Sequence, residues 1–124
     1  MNDDLKSLLS GLSKEAYCYL TTKGRKSGNP HEIEIWFCIH ENSLYLLSGG
    51  RDKSDWVKNL LNDPHVTVRI GKRTFNGVAR IVNDEKEDGM IRTMLADKYN
   101  ERERDGSLSN WAQTALAVGI ELGA

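Results

Sequence analysis

The sequence predicts an α+β domain in which about six short, mainly antiparallel strands close into a small barrel flanked by three helices. Three observations lead there. Apolar residues alternate at period two in several short runs separated by turn residues, as half-buried strands do. Three other segments carry apolar residues at helical spacing. The strands are also too many and too short for a flat open sheet, and closure removes the exposed edges.

The elements follow in order. Asp3 to Leu12 places Leu5, Leu8, Leu9 and Leu12 on one stripe of a helix, with Asn2 or Asp3 as its cap. Tyr17 to Thr22 is β-branched and aromatic and runs into a loop, Lys23-Gly24-Arg25-Lys26-Ser27-Gly28-Asn29-Pro30. A single strand is then expected, with Ile33, Ile35, Phe37 and Ile39 on one face and Glu32, Glu34, Trp36, Cys38 and His40 on the other. Glu41-Asn42-Ser43 turns the chain into a partner strand, Leu44 to Ser48, which Gly49 and Gly50 break.

Ser54 to Asn62 reads as a helix with Trp56, Val57, Leu60 and Leu61 on its apolar face, stopped by Asp63-Pro64. Val66, Val68 and Ile70 alternate, and Gly71-Lys72-Arg73 turns into a strand over Thr74 to Val82. A polar helix from Asp84 to about Glu103 carries Met90, Ile91, Met94, Leu95, Lys98 and Tyr99 inward, and Asp105-Gly106-Ser107 ends it. In the last strand Leu116, Val118, Ile120 and Leu122 oppose Ala115, Ala117, Gly119 and Glu121. With no internal repeat, low-complexity tract or linker, one domain over residues 1–124 is expected.

Composition narrows the function. Hydrophobic residues are 39% and charged residues 28%, too apolar for a disordered chain. Seventeen Lys and Arg face eighteen Asp and Glu, which argues against a dedicated nucleic-acid binder or a polybasic membrane-surface protein. No apolar run reaches the ~20 residues a membrane span needs, and Met-Asn-Asp-Asp has the wrong charge for a signal peptide, so a cytoplasmic protein is expected. Cys18 and Cys38 sit in apolar runs and read as buried free thiols. His31, His40 and His65 lack metal-ligand spacing, and neither a Gly-x-Ser-x-Gly elbow nor a phosphate-binding Walker loop occurs.

Chemistry concentrates in two loops. Lys23 to Gly28 holds three cations, two glycines and a hydroxyl, a composition that turns backbone N–H groups and positive charge toward a phosphate or carboxylate. Ser48-Gly49-Gly50-Arg51-Asp52-Lys53 is a second basic element, placed before the helix that carries Trp56 and Asn59. Two such loops in a near-neutral chain suggest one large anionic ligand; alternatively both are solvated turns. Trp36, on the polar face of its strand, either packs under the Met90/Met94 helix or walls a cofactor groove, and Tyr99 and Trp111 carry the same alternatives. No activated nucleophile is visible and no catalytic residue is assigned. That pattern suits a cofactor that brings its own reactive atom.

The residues Thr21-Thr22-Lys23-Gly24-Arg25-Lys26-Ser27-Gly28-Asn29-Pro30-His31 resemble the Thr-Thr-x-Gly-Arg-Lys-Ser-Gly-x-Pro signature of the deazaflavin (F420)-dependent nitroreductase family. Ser48-Gly49-Gly50 through Lys53, Trp56 to Leu60 and Asp63 to Val68 resemble its second block, with a weaker echo in Met94 to Tyr99 and Trp111. The resemblance implies a split β-barrel of the FMN-binding type, in the same broad class as the pyridoxamine-phosphate oxidases. It implies an oxidoreductase that passes a hydride from reduced F420 to a quinone, nitro compound or activated alkene.

Carried over by residue, Arg25, Lys26, Ser27 and Gly28 hold the phosphate and acidic tail. His31 stands where the family often has Arg. Ser48, Gly49 and Gly50 lie beside the ring, with Lys53, Trp56 and Asn59 around the tail and helix, while Trp36, Tyr99 and Trp111 shape the acceptor side. Trp36 replaces a Tyr of the better-known members, and Glu32 to Ile35 lack their Pro. FMN is the alternative cofactor, and a non-enzymatic flavin- or haem-binding module the alternative role. The expected partner is a small-molecule acceptor, with no nucleic acid and no integral membrane segment; a homodimer is left open.

Overall fold

A computed structural model describes residues 2–123, and side chains from Asp4 onward. Helix α1 spans Asn2–Leu12, so the cap expected of Asn2 or Asp3 lies outside the described side chains. The strands are β1 (Cys18–Lys23), β2 (Pro30–Ile35), β3 (Cys38–His40), β4 (Ser43–Ser48), β5 (His65–Ile70), β6 (Arg73–Ile81) and β7 (Leu116–Gly123), with α2 (Asp55–Asn62), α3 (Glu85–Lys98) and the short α4 (Asn110–Thr114) between them. Every strand pairing is antiparallel, and the seven strands form one sheet in the order β2-β1-β5-β6-β7-β4-β3.

That order explains the barrel. β2 and β3 are neighbours in the chain but occupy opposite edges of the sheet. Three peptide steps separate Ile35 from Cys38 and can reach at most about 11 Å. The sheet must therefore curl until its edges nearly meet. The single strand expected over Glu32 to His40 is broken at Trp36-Phe37, a correction to the sequence reading, and seven strands replace about six. The face assignment survives the break: Ile33, Ile35, Phe37 and Ile39 all pack into the barrel interior.

Two cores result. The interior joins Cys18, Leu20, Phe37, Leu44, Leu46, Val68 and Ile120, and α1 and α2 add Leu9 and Leu60 to it. The second core lies on the outer face of the sheet, where Ile91 and Leu95 of α3 cover Cys38, Tyr45, Leu47, Ala115 and Ala117. Strands β4 and β7 are thus buried on both faces, which is why all six residues of β4 are inaccessible. Cys18 and Cys38 are free and buried, and desolvation pushes both thiols up to about 12.

Helix α3 is shorter than the expected Asp84 to Glu103. Asp84 caps it by accepting the Glu87 N–H, but Tyr99 ends it and Asn100 takes a left-handed φ of 58°. The chain then forms a separate bridge between Arg102 and Leu108 before α4, which the polar composition of this stretch had concealed.

Candidate functional site

Loop 24–29 joins β1 to β2. Gly24 N–H donates to the Asn29 carbonyl and Gly28 N–H to the Gly24 carbonyl, both at 2.8 Å, while Gly28 adopts φ 75°. A side chain at Gly24 would place its Cβ 2.6 Å from the His31 ring and 2.8 Å from Ser27 Oγ, so both side chains would have to move aside. Arg25 is turned toward α2. Its backbone N–H and Nη1 donate to Asn59 Oδ1 at 3.2 and 2.8 Å, and Nη2 meets Asp55 at 3.2 Å. Asn59 is 3% exposed and donates to Thr22 Oγ1, so it locks the loop to β1 and α2 together.

A groove of 510 Å³ opens beside this knot, lined by Arg25, Lys26, Ser27, His31, Trp56 and Asn59 and also by two carboxylates, Asp55, which meets Arg25, and Glu32, which approaches Arg69. Lys26, Ser27 and His31 are exposed. Gly28 faces away from it, onto a shallow 370 Å³ depression shared with Lys23 and His65.

The second loop leaves β4 at Ser48. The Ser48 hydroxyl, almost fully buried, donates to the Arg51 carbonyl and lies 2.8 Å from Ser54 Oγ. Gly49 and Gly50 are exposed, and the edge of Trp111 runs alongside Gly49. Arg51 holds a left-handed φ of 56° and donates from Nε to the Thr114 carbonyl, tying this loop to the end of α4. Lys53 is exposed at the end of a single helical turn and is not among the groove-lining residues.

The three aromatic residues named from sequence meet. Trp36 stacks on Tyr99 with centroids 4.3 Å apart and planes 4° from parallel, and meets Trp111 edge-on at 5.5 Å. They stand at the β2–β3 break. Tyr99 accepts the Phe37 N–H at 3.0 Å and donates to the Ala16 carbonyl at 2.9 Å, and burial pushes its phenol up to about 12. Lys98 donates to the Phe37 carbonyl and lies 3.7 Å over the Phe37 ring, with burial lowering its pKa. Trp111 rides on α4, which Ser109 caps and Arg92 grips through the Ala112 carbonyl.

Trp36 therefore walls a groove rather than sitting under the Met90/Met94 face. The 340 Å³ pocket beside it is lined by Tyr17, Glu34, Ile35, Trp36, Glu101 and Trp111, with Leu47 at its base. Tyr17, Glu34 and Glu101 were not singled out from sequence. The shared face of Glu34 and Trp36, two residues apart, was a signal for the first; nothing local marks Glu101. β2 borders both openings, lending His31, Glu32 and Ile33 to the groove and Glu34 and Ile35 to the aromatic pocket. At about 3.3 Å per residue, His31 and Trp36 stand roughly 16 Å apart. The pair of sites suits a ligand that is flat at one end and anionic at the other. Among the described residues there is no metal-ligating cluster and no helix long and apolar enough to cross a membrane.

The sequence profile of the F420H(2)-dependent quinone reductase family matches residues 7–112. Solved structures share the fold. A Listeria innocua protein described as a pyridoxamine 5'-phosphate oxidase superposes with TM-score 0.72 at 19% identity, covering 97% of this chain and 94% of its own. An F420 reductase gives 0.65 at 18% identity, covering 93% and 92%. HutZ, the haem storage protein of Vibrio cholerae, gives 0.71 at 16% identity, covering 97% and 91%. At these identities the likeness is one of fold, the split barrel.

Proposed function

The chain belongs to the F420H(2)-dependent quinone reductase family, and on that premise we propose that it delivers a hydride from reduced F420 to a quinone, nitro compound or activated alkene held against Trp36 and Trp111. It is an oxidoreductase, and F420 is its coenzyme. The observation that carries the finer reading is the alignment along β2 of a groove bearing Lys26 and His31 with an aromatic pocket.

The residues fit such a coenzyme. Lys26, Ser27 and His31 present charge and donors to a phosphodiester and glutamate tail, while Arg25 and Asn59 keep the loop in place from behind. Lys53 adds a second cation at the mouth of the other loop. Gly49, which lacks a side chain beside Trp111, and the exposed Gly50 let a flat ring approach the backbone after Ser48. When bound, the coenzyme supplies a hydride; a quinone that takes it together with one proton leaves as the hydroquinone. Trp36 and Trp111 hold the acceptor ring, and the stacking of Trp36 on Tyr99 excludes water from that side. We read residues 1–124 as a single cofactor-binding domain working in the cytoplasm, since two buried free thiols suit a reducing compartment.

Fluorescence titration of the purified protein with oxidised F420 and with FMN tests the reading. Tighter F420 binding, weakened by salt, is expected because a multiply charged tail engages both basic loops and one phosphate engages one. Stoichiometric FMN that F420 cannot displace would replace the coenzyme assignment. Anaerobic addition of menadione to the F420H2-loaded protein should then regenerate oxidised coenzyme.

A further inference from the structure

The aromatic pocket has an unbalanced charge. Glu34 on β2 and Glu101 beyond α3 both line it, and none of its described lining residues is a lysine, arginine or histidine. The two carboxylates have only neutral partners: Tyr19 donates its hydroxyl to Glu34 at 2.8 Å, and Ser109 donates to Glu101 at 2.9 Å. Neither belongs to an ion pair among the described residues, whereas the nearby Glu32 approaches Arg69 and Asp97 pairs with Arg102. Two indoles, Trp36 and Trp111, set edge-on to each other, complete the lining.

We propose that this pocket sorts acceptors by charge, admitting planar electron-poor rings that are cationic or neutral and turning away rings that carry sulfonate or carboxylate. The inference rests on the assignment of the acceptor to this pocket. It divides the labour of the site: at one end the carboxylates of the groove, Asp55 and Glu32, lie against Arg25 and Arg69 and leave Lys26 to grip the anionic tail, and at the other Glu34 and Glu101 keep anionic groups out of the ring end. An acidic tail is thereby discouraged from binding in reverse. Two uncancelled charges at a partly open pocket are worth about tenfold against an anionic ring.

The test compares 1,4-naphthoquinone with its 2-sulfonate in the parent chain and in a Glu34→Gln/Glu101→Gln variant. Binding to the coenzyme-free protein is read by quenching of tryptophan fluorescence, and turnover by kcat/KM with F420H2. The neutral-to-sulfonate preference is expected to fall about tenfold in the variant. The intrinsic reactivity of each quinone cancels in that comparison. In the parent, rising salt should narrow the preference as the carboxylates are screened, a measurement that needs no variant. A preference that is the same in both proteins and flat with salt would overturn the charge rule. The quenching arm decides that rule even without turnover; reduction of neither quinone while F420 is bound would instead overturn the reductase reading.

Discussion

The phenol ring of Tyr99, the residue that ends α3, lies flat on the indole of Trp36 while its hydroxyl accepts the N–H of Phe37. One side chain thus does two jobs. It backs Trp36, which lines the aromatic pocket, and it holds the point where the chain steps from one edge of the sheet to the other.

The two jobs separate in substitutions. Tyr99→Phe keeps the stack but leaves the Phe37 N–H without its partner, and should cost about 1–3 kcal/mol in urea unfolding. Tyr99→Leu also loses the aromatic pair, a further ~0.5–1.5 kcal/mol. The Tyr99→Phe protein should retain the near-ultraviolet signature of the Trp36 stack, and the Tyr99→Leu protein should lose it.

The two basic loops hold two kinds of cation. Lys26→Ala and Lys53→Ala should each weaken F420 binding by about one to two decades, equivalent to losing a charge-assisted bond, with the thermal midpoint of the coenzyme-free protein nearly unmoved. Arg25→Ala should lower that midpoint, because it removes the Nη1 donor to Asn59 Oδ1 and the Nη2 contact with Asp55, leaving Asn59 Oδ1 only the backbone N–H of residue 25. Equal midpoints across all three variants would contradict the locking role of Arg25.

Acid should loosen α3. The Arg80 guanidinium, aided by the Tyr45 hydroxyl, holds Glu87 down to about 2 from its ordinary 4.5. The folded state therefore binds fewer protons here than the unfolded chain. Stability from this group is complete above pH 4.5 and drains away as pH falls toward 2. Glu87→Gln should flatten the stability-versus-pH curve in that window, as read by urea unfolding at successive pH values.

Helix α4 is only five residues long and cannot sustain itself without its anchors. Arg92→Ala removes the donor to the Ala112 carbonyl and the partner of Asp88. Amide exchange in α4 should accelerate, and KM for a quinone should rise as Trp111 loses its seat, while the amides of β4 and β7 keep their protection.

Local order was legible because it is periodic. The alternation of Ile33, Ile35, Phe37 and Ile39 marks the interior face without any knowledge of the partner strand. The crowding of glycine, Ser27 and cations between two strands marks that loop as the candidate anion site. Helical spacing placed Ile91 and Leu95 on the buried side of α3.

What the sequence could not decide depends on residues far apart in the chain. The break at Trp36-Phe37 follows from closure of the whole sheet, since an unbroken strand could not serve both edges. Cys38 and Ala117 look like the solvent side of alternating strands until α3 is laid over them. Arg25 reads as a free cation until Asn59, 34 residues on, takes its N–H groups. Glu34 and Glu101 acquire a common purpose only when β2 and the segment after α3 line one pocket. Periodicity records which face of an element is apolar; it carries no information on which element will cover that face, because the covering surface is assembled by long-range packing.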